Sequence, residues 1–96
     1  MEYRQRALVA LQEVETALAD IRFSREQLAV QERAQQASRQ AVRLTSERYR
    51  TGLTTYFEVV DANRISLDAA RLVAQARGEQ LRYVVQLVRA LGGSWQ

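Results

Sequence analysis

Glu58 and Asp61, two carboxylates three residues apart, are the residues of this chain best spaced to do chemistry. On a helix they share a face, and one could give a proton while the other takes one. Such a pair works only beside a nucleophile, a metal or a concave apolar pocket. The sequence supplies no partner of that kind. It has no cysteine and no histidine, which removes Cys/His metal sites, thiol chemistry and imidazole acid–base work. All fourteen basic residues are arginine, so Schiff-base chemistry and a phosphate-loop lysine are also absent. The expectation is a protein that is not an enzyme and uses no cofactor or metal. Both carboxylates have plainer roles too: Glu58 in a helix cap, and Asp61 as a dipole-complementing charge or a partner of Arg64.

The arginines do not gather into a nucleic-acid surface. Arg39 and Arg43 form one like-charged pair four residues apart, and Arg48 and Arg50 flank a glycine turn, but acidic residues interrupt every basic stripe. A net charge of +3 marks solvated helix faces, and no nucleic-acid partner is expected. The densest apolar stretch, from Tyr83 to Leu91, is broken by Gln86 and Arg89, well short of the roughly 20 residues of a membrane-spanning helix. Met1-Glu2-Tyr3-Arg4 lacks the basic-then-apolar plan of a secretory signal.

The elements that must position these side chains are two long helices. The chain contains no proline, and its four glycines stand at 52, 78, 92 and 93. In the first helix Ala7, Leu11, Val14, Leu18, Ile21 and Leu28 step at heptad spacing, with Arg25 in the skipped slot. Past Leu28 the pattern resumes two residues out of step as Val30, Ala34, Ala37, Ala41 and Leu44, so the buried face is expected to change partway along. The second helix carries an unbroken series, Val59, Ala62, Ser66, Ala69, Val73, Ala76, Gln80, Tyr83, Leu87 and Ala90. Beside it runs a second series, Val60, Asn63, Leu67, Ala70, Ala74, Arg77, Leu81, Val84, Val88 and Leu91. Two adjacent series imply a helix with neighbours on two sides. Between the helices, Gly52 suits the left-handed residue past a helix end, and Thr55 with Glu58 fits a capping box. Gly92-Gly93 is expected to close the second helix as Gly52 closes the first.

The fold class is therefore all-α: an antiparallel long-helix hairpin of coiled-coil type, with helices at about 2–50 and 56–91. At 1.5 Å per residue the arms run about 70 and 50 Å. A single hairpin buries little, so a multi-helix bundle is expected, with self-association of the isolated chain through its exposed second seam.

The run Arg48-Tyr49-Arg50-Thr51-Gly52-Leu53-Thr54-Thr55-Tyr56-Phe57-Glu58-Val59-Val60-Asp61-Ala62 resembles the periplasmic tip of the TolC-like outer-membrane efflux channels. That family's pattern is roughly R-Y-x-x-G-x-x-x-x-x-(D/E)-V-(L/V)-D-A. Downstream, Ala90-Leu91-Gly92-Gly93-Ser94-Trp95 is similar to the family's Ala-Leu-Gly-Gly-x-Trp end, and Tyr3 to Leu18 is similar to the start of its preceding long helix. The turn motif is the specific part of the likeness.

The resemblance implies that residues 1–96 are one helical hairpin, a fragment of a larger channel protein, from its second, C-terminal repeat. In that family a homotrimer forms a periplasmic tunnel beneath an outer-membrane barrel, in a Gram-negative export pump with a periplasmic adaptor (membrane fusion) protein and an inner-membrane pump. By the same resemblance Thr51, Gly52 and Leu53 would dock the adaptor, Glu58 and Asp61 would ring the pore constriction, and Tyr49 would latch the closed tip. Two positions depart from the pattern. Thr54 stands where family members carry a basic latch residue, and residue 58 is Glu instead of Asp. The rival reading is a free-standing coiled-coil scaffold or dimerisation module, encoded by a gene of about this length.

Overall fold

The computed structural model of the chain describes residues 2–93. It is an antiparallel helical hairpin of two elements, α1 (Glu2–Arg50) and α2 (Tyr56–Gly93), and no strand occurs among the described residues. Without proline, nothing removes a backbone donor from either ladder. The helix boundaries match the sequence reading except at the end of α2. That helix continues through Gly92 to Gly93, and Gly52 is the one described residue with positive φ. Gly92 is therefore helical rather than a left-handed cap. Ser94 and Trp95 of the closing motif lie outside the described residues.

The chain divides into two compact units, one of Met1–Gln27 with Arg77–Gln96 and one of Leu28–Ala76. In the first unit, Ala10, Val14, Ala17, Ile21 and Ser24 of α1 turn inward with Gln80, Tyr83, Leu87 and Ala90 of α2. In the second, the inward positions are Leu28, Gln31, Gln35, Ser38, Val42 and Thr45 with Val59, Ala62, Ser66, Ala69, Val73 and Ala76. Every step is three or four residues, the heptad spacing of helices crossing at a shallow angle.

The seam of α2 is the first series read from the sequence. The seam of α1 is the expected one only in part: Val14, Ile21 and Leu28 turn inward as expected, and the other positions of the two series do not. Leu11, Leu18, Val30 and Leu44 are exposed, as are Ala7, Ala34, Ala37 and Ala41, and the inward positions of α1 keep one register from Ala10 to Thr45. Small and polar residues share that register with Val14, Ile21, Leu28 and Val42, and the hydroxyls among them are satisfied locally. The Ser24 hydroxyl donates to the Ile21 carbonyl at 2.7 Å, and Ser38 donates to the Gln35 carbonyl at 2.7 Å. A seam lined with Ala and Ser lets two backbones approach closely; Ala17 is fully enclosed. Leu11, Leu18, Val30 and Leu44 of the expected series lie on its outer faces instead.

No large side chain is fully buried among the described residues. Each unit therefore gains modestly from burial, and its long helices depend on coverage from outside.

Candidate functional site

The turn lies wholly within the Leu28–Ala76 unit. The last turn of α1 carries Arg48, Tyr49 and Arg50, with Arg50 paired to Glu47 at 3.2 Å. Gly52 adopts φ +80°, which reverses the chain. Its amide donates to the Tyr49 carbonyl at 3.0 Å, and the Leu53 amide donates to the Arg48 carbonyl at 2.8 Å. These are the two bonds of a Schellman closure, and they satisfy carbonyls that a helix end would leave open. Thr51 adds its hydroxyl, donating to the carbonyls of Glu47 at 3.3 Å and Arg48 at 3.0 Å. Thr51 and Gly52 thus spend their polar groups on the turn itself, while Leu53, 77% exposed, projects from it.

Thr55 starts α2. The Glu58 amide donates to the Thr55 hydroxyl at 3.4 Å and to the Thr55 carbonyl at 3.2 Å. This is one half of the expected capping box. Among the described residues the Glu58 carboxylate makes no return bond, so Glu58 is left exposed with its charge free. Thr54, at the departure from the family pattern, has its hydroxyl oxygen shielded from solvent with no hydrogen-bond partner.

Asp61 sits in a different environment three residues on. It is half-buried and pairs with Arg64 at 3.0 Å. Arg64 also reaches Asp68 at 3.4 Å, and Asp68 reaches Arg71 at 3.6 Å, a ladder of alternating charge along one face of α2. Each rung is exposed and contributes about 0.3–0.5 kcal/mol. Glu58 and Asp61 do share one shallow groove, walled by Ser38, Ala41 and Thr45 of α1 and by Phe57, Ala62 and Ile65 of α2. The groove is open to solvent, and its Ser38 and Thr45 hydroxyls donate to the Gln35 and Ala41 carbonyls of their own helix. Among the described residues no cluster of three metal-binding side chains forms.

Tyr49 is held by a contact that sequence reasoning missed. Its ring packs against Tyr56, with centroids 5.5 Å apart and planes tilted by 56°. The signal was available: the two tyrosines lie three residues before and four after Gly52, so a tight reversal at Gly52 brings them together. The site is thus a rigid turn bearing Leu53, Phe57 and a tyrosine pair, with one free and one paired carboxylate just behind it.

A comparison with family models matches residues 1–93 to the outer membrane efflux protein family. The chain belongs to that family. Among curated relatives, the toluene efflux pump outer membrane protein TtgC of Pseudomonas putida is 35% identical over 94 residues, covering 98% of this chain and 19% of the relative. The pyoverdine export outer membrane protein OpmQ of the same species is 36% identical over 94 residues, covering 98% of this chain and 20% of the relative. OpmQ of Pseudomonas aeruginosa is 32% identical over 94 residues. The chain spans about a fifth of the length of these relatives. No solved structure matches it.

Membership in the outer membrane efflux protein family bears out the resemblance read from the turn motif and from both flanking helices. The family is one of transport proteins and not an enzyme class. No helix among the described residues is long and apolar enough to cross a membrane.

Proposed function

We propose that this chain is the periplasmic hairpin of a trimeric outer-membrane efflux channel, working in an export pump with a periplasmic adaptor and an inner-membrane pump. Residues 1–96 serve as one segment of the tunnel wall, and the turn at Gly52 is the adaptor-docking and gating tip. The observation that carries this reading is the Schellman closure at Gly52. It is self-satisfied in its hydrogen bonds, which leaves Leu53 exposed and free to contact another protein. Thr51 and Gly52 fix the shape that docks, and Leu53 supplies the apolar contact.

Glu58 and Asp61 ring the constriction behind the tip. Of the two, Glu58 supplies the stronger field, because Asp61 already shares its charge with Arg64. Three copies of an unpaired carboxylate favour cations and disfavour anions in a narrow pore. Tyr49 latches the closed tip, with Tyr56 beside it and an uncharged Thr54 in place of a basic residue. Relatives named for toluene efflux and for pyoverdine export match over the same 94 residues. That fits a segment that builds the conduit and leaves choice of cargo to other parts.

The test is Gly52→Val in the full-length parent channel. A β-branched residue at φ +80° deforms the turn, so crosslinking to the adaptor and resistance to exported drugs should both fall. Wild-type crosslinking and resistance in that variant would overturn the docking role. The gene upstream decides the scaffold alternative: the channel reading requires several hundred residues with a secretory signal, β-strands and a related hairpin.

A further inference from the structure

Tyr49, in the last turn of α1, has its backbone fixed by the reversal, because its carbonyl accepts the Gly52 amide at 3.0 Å. That bond places the Cα and leaves the side chain its own torsions. Tyr56 restrains them. It is the first residue of α2, and the cap beside it is made by the Glu58 amide donating to the Thr55 hydroxyl and carbonyl. From there its ring meets the Tyr49 ring at 5.5 Å between centroids, inside the span of about 4.5–7 Å over which aromatic rings attract. The contact uses ring surface only. Neither hydroxyl makes a hydrogen bond among the described residues, and both residues stay exposed, 47% for Tyr49 and 63% for Tyr56. Tyr56 therefore holds the Tyr49 ring while the Tyr49 phenol oxygen stays free to bond outside the hairpin.

The rest of the turn gives that oxygen weight. From Thr51 to Phe57 the chain carries no charged side chain. The Thr51 hydroxyl donates to the Glu47 and Arg48 carbonyls, the Thr54 oxygen is shielded from solvent, and the Thr55 hydroxyl caps α2. Arg50 reaches back along α1 to Glu47 at 3.2 Å. Between Tyr49 and Tyr56 the two phenols are the polar side-chain groups left uncommitted.

We infer that Tyr56 is a positioning residue for the gate: its ring holds the Tyr49 phenol in the orientation that latches the closed tip. The inference rests on the reading of Tyr49 as the latch and names what orders it. A side chain free to rotate gives up rotamer freedom when it forms a hydrogen bond. A ring already clasped has less to give up, as with any pre-organised contact. An aromatic contact of this kind is strong enough to shift an open–closed equilibrium by about two- to tenfold per protomer. The clasp lies within one hairpin, so each copy in an assembly carries its own and needs nothing from its neighbours to form it.

The experiment measures leak through the full-length parent channel without adaptor or pump, as conductance in planar bilayers, at matched amounts of assembled channel. Tyr56→Ala should raise leak about two- to tenfold, and Tyr56→Leu, which keeps bulk without a ring, should act in the same direction. Tyr56→Phe keeps the ring and should stay at the wild-type value. Tyr49→Phe keeps the clasp but removes the latching hydroxyl, so it should leak as well. The deciding variant combines Tyr49→Phe with Tyr56→Ala. It should leak no more than Tyr49→Phe alone, although it also loses the ring contact, because no hydroxyl is left to position. Additional leak in the double variant would show a purely structural Tyr56 and overturn the inference. So would equal leak from Tyr56→Phe and Tyr56→Ala, which assigns the effect to the Tyr56 hydroxyl. A tight Tyr56→Ala channel beside a leaky Tyr49→Phe channel overturns the positioning role and leaves the latch standing. A tight Tyr49→Phe channel overturns both.

Discussion

Tyr49 and Tyr56 clasp the hairpin at its turn, one ring from the last turn of α1 packed against one from the first turn of α2 at 5.5 Å. Neither hydroxyl makes a hydrogen bond among the described residues, so the contact is one of ring surfaces. Truncating Tyr56 to Ala should lower stability by about 0.5–1.5 kcal/mol beyond the lost apolar area, whereas Tyr56→Phe should be close to neutral. Urea melts measure the difference, and the near-ultraviolet tyrosine signal should weaken in the Ala variant. Equal losses in Ala and Phe would assign the stabilisation to the hydroxyl instead.

Gly52 and Gly78 should respond with opposite signs to the same added methyl. A Cβ at either position meets nothing within 4 Å, so packing does not separate them. Backbone does. Gly52 sits at φ +80°, where an L side chain costs about 1–2 kcal/mol. Gly78 lies inside α2, where Ala is favoured by about 1 kcal/mol. Thermal melts of Gly52→Ala and Gly78→Ala should therefore move in opposite directions.

Thr54 presents a case where removing a polar group helps. Its hydroxyl oxygen is shielded and unpartnered, and Val has nearly the same shape. Thr54→Val should raise stability by about 1 kcal/mol, the desolvation cost of an unpaired hydroxyl. A fall in melting temperature would show that the hydroxyl has a partner in solution.

Ala17 tests the close approach of the two helices in its unit. It is fully enclosed, in a seam of small residues. Ala17→Leu should cost about 1–3 kcal/mol by overpacking, even though Leu has high helix propensity and is more apolar. Unchanged denaturant midpoints would mean that the seam holds more space than the burial of Ala17 implies.

The ladder from Asp61 to Arg71 should matter little to folding. Arg64 bridges two carboxylates, but its partners Asp61 and Asp68 are 47% and 50% exposed. Arg64→Ala should cost less than about 1 kcal/mol, and the loss should shrink further in high salt. A larger, salt-independent loss would point to packing by the arginine stem.

Much of this was readable from residue order. The absence of proline and the long heptads required two helices, and the lone glycine between them marked the reversal that carries positive φ. The capping threonine was legible, as was the full seam of α2. The half-made capping box was not, because whether a glutamate folds back on its own helix start depends on what else surrounds it. The tyrosine clasp was implicit in the spacing around Gly52, but ring packing across a turn is a three-dimensional event.

The seam of α1 marks the boundary between the two kinds of information. Hydrophobicity along the sequence showed which outward stripes of α1 want cover, through Leu11, Leu18, Val30 and Leu44. It showed only part of the face that meets α2, because Val14, Ile21, Leu28 and Val42 alternate there with Ala, Gln, Ser and Thr, and the Ser24, Ser38 and Thr45 hydroxyls bond to their own helix. Composition determined that the chain is helical, that it reverses once, and that it carries more apolar surface than one hairpin can hide. Tertiary packing decided which surface the hairpin itself hides. Small residues such as Ala17, Ala69, Ala76 and Ala90 take the most enclosed places of the seam, and Leu11, Leu18, Val30 and Leu44 stay exposed outside it.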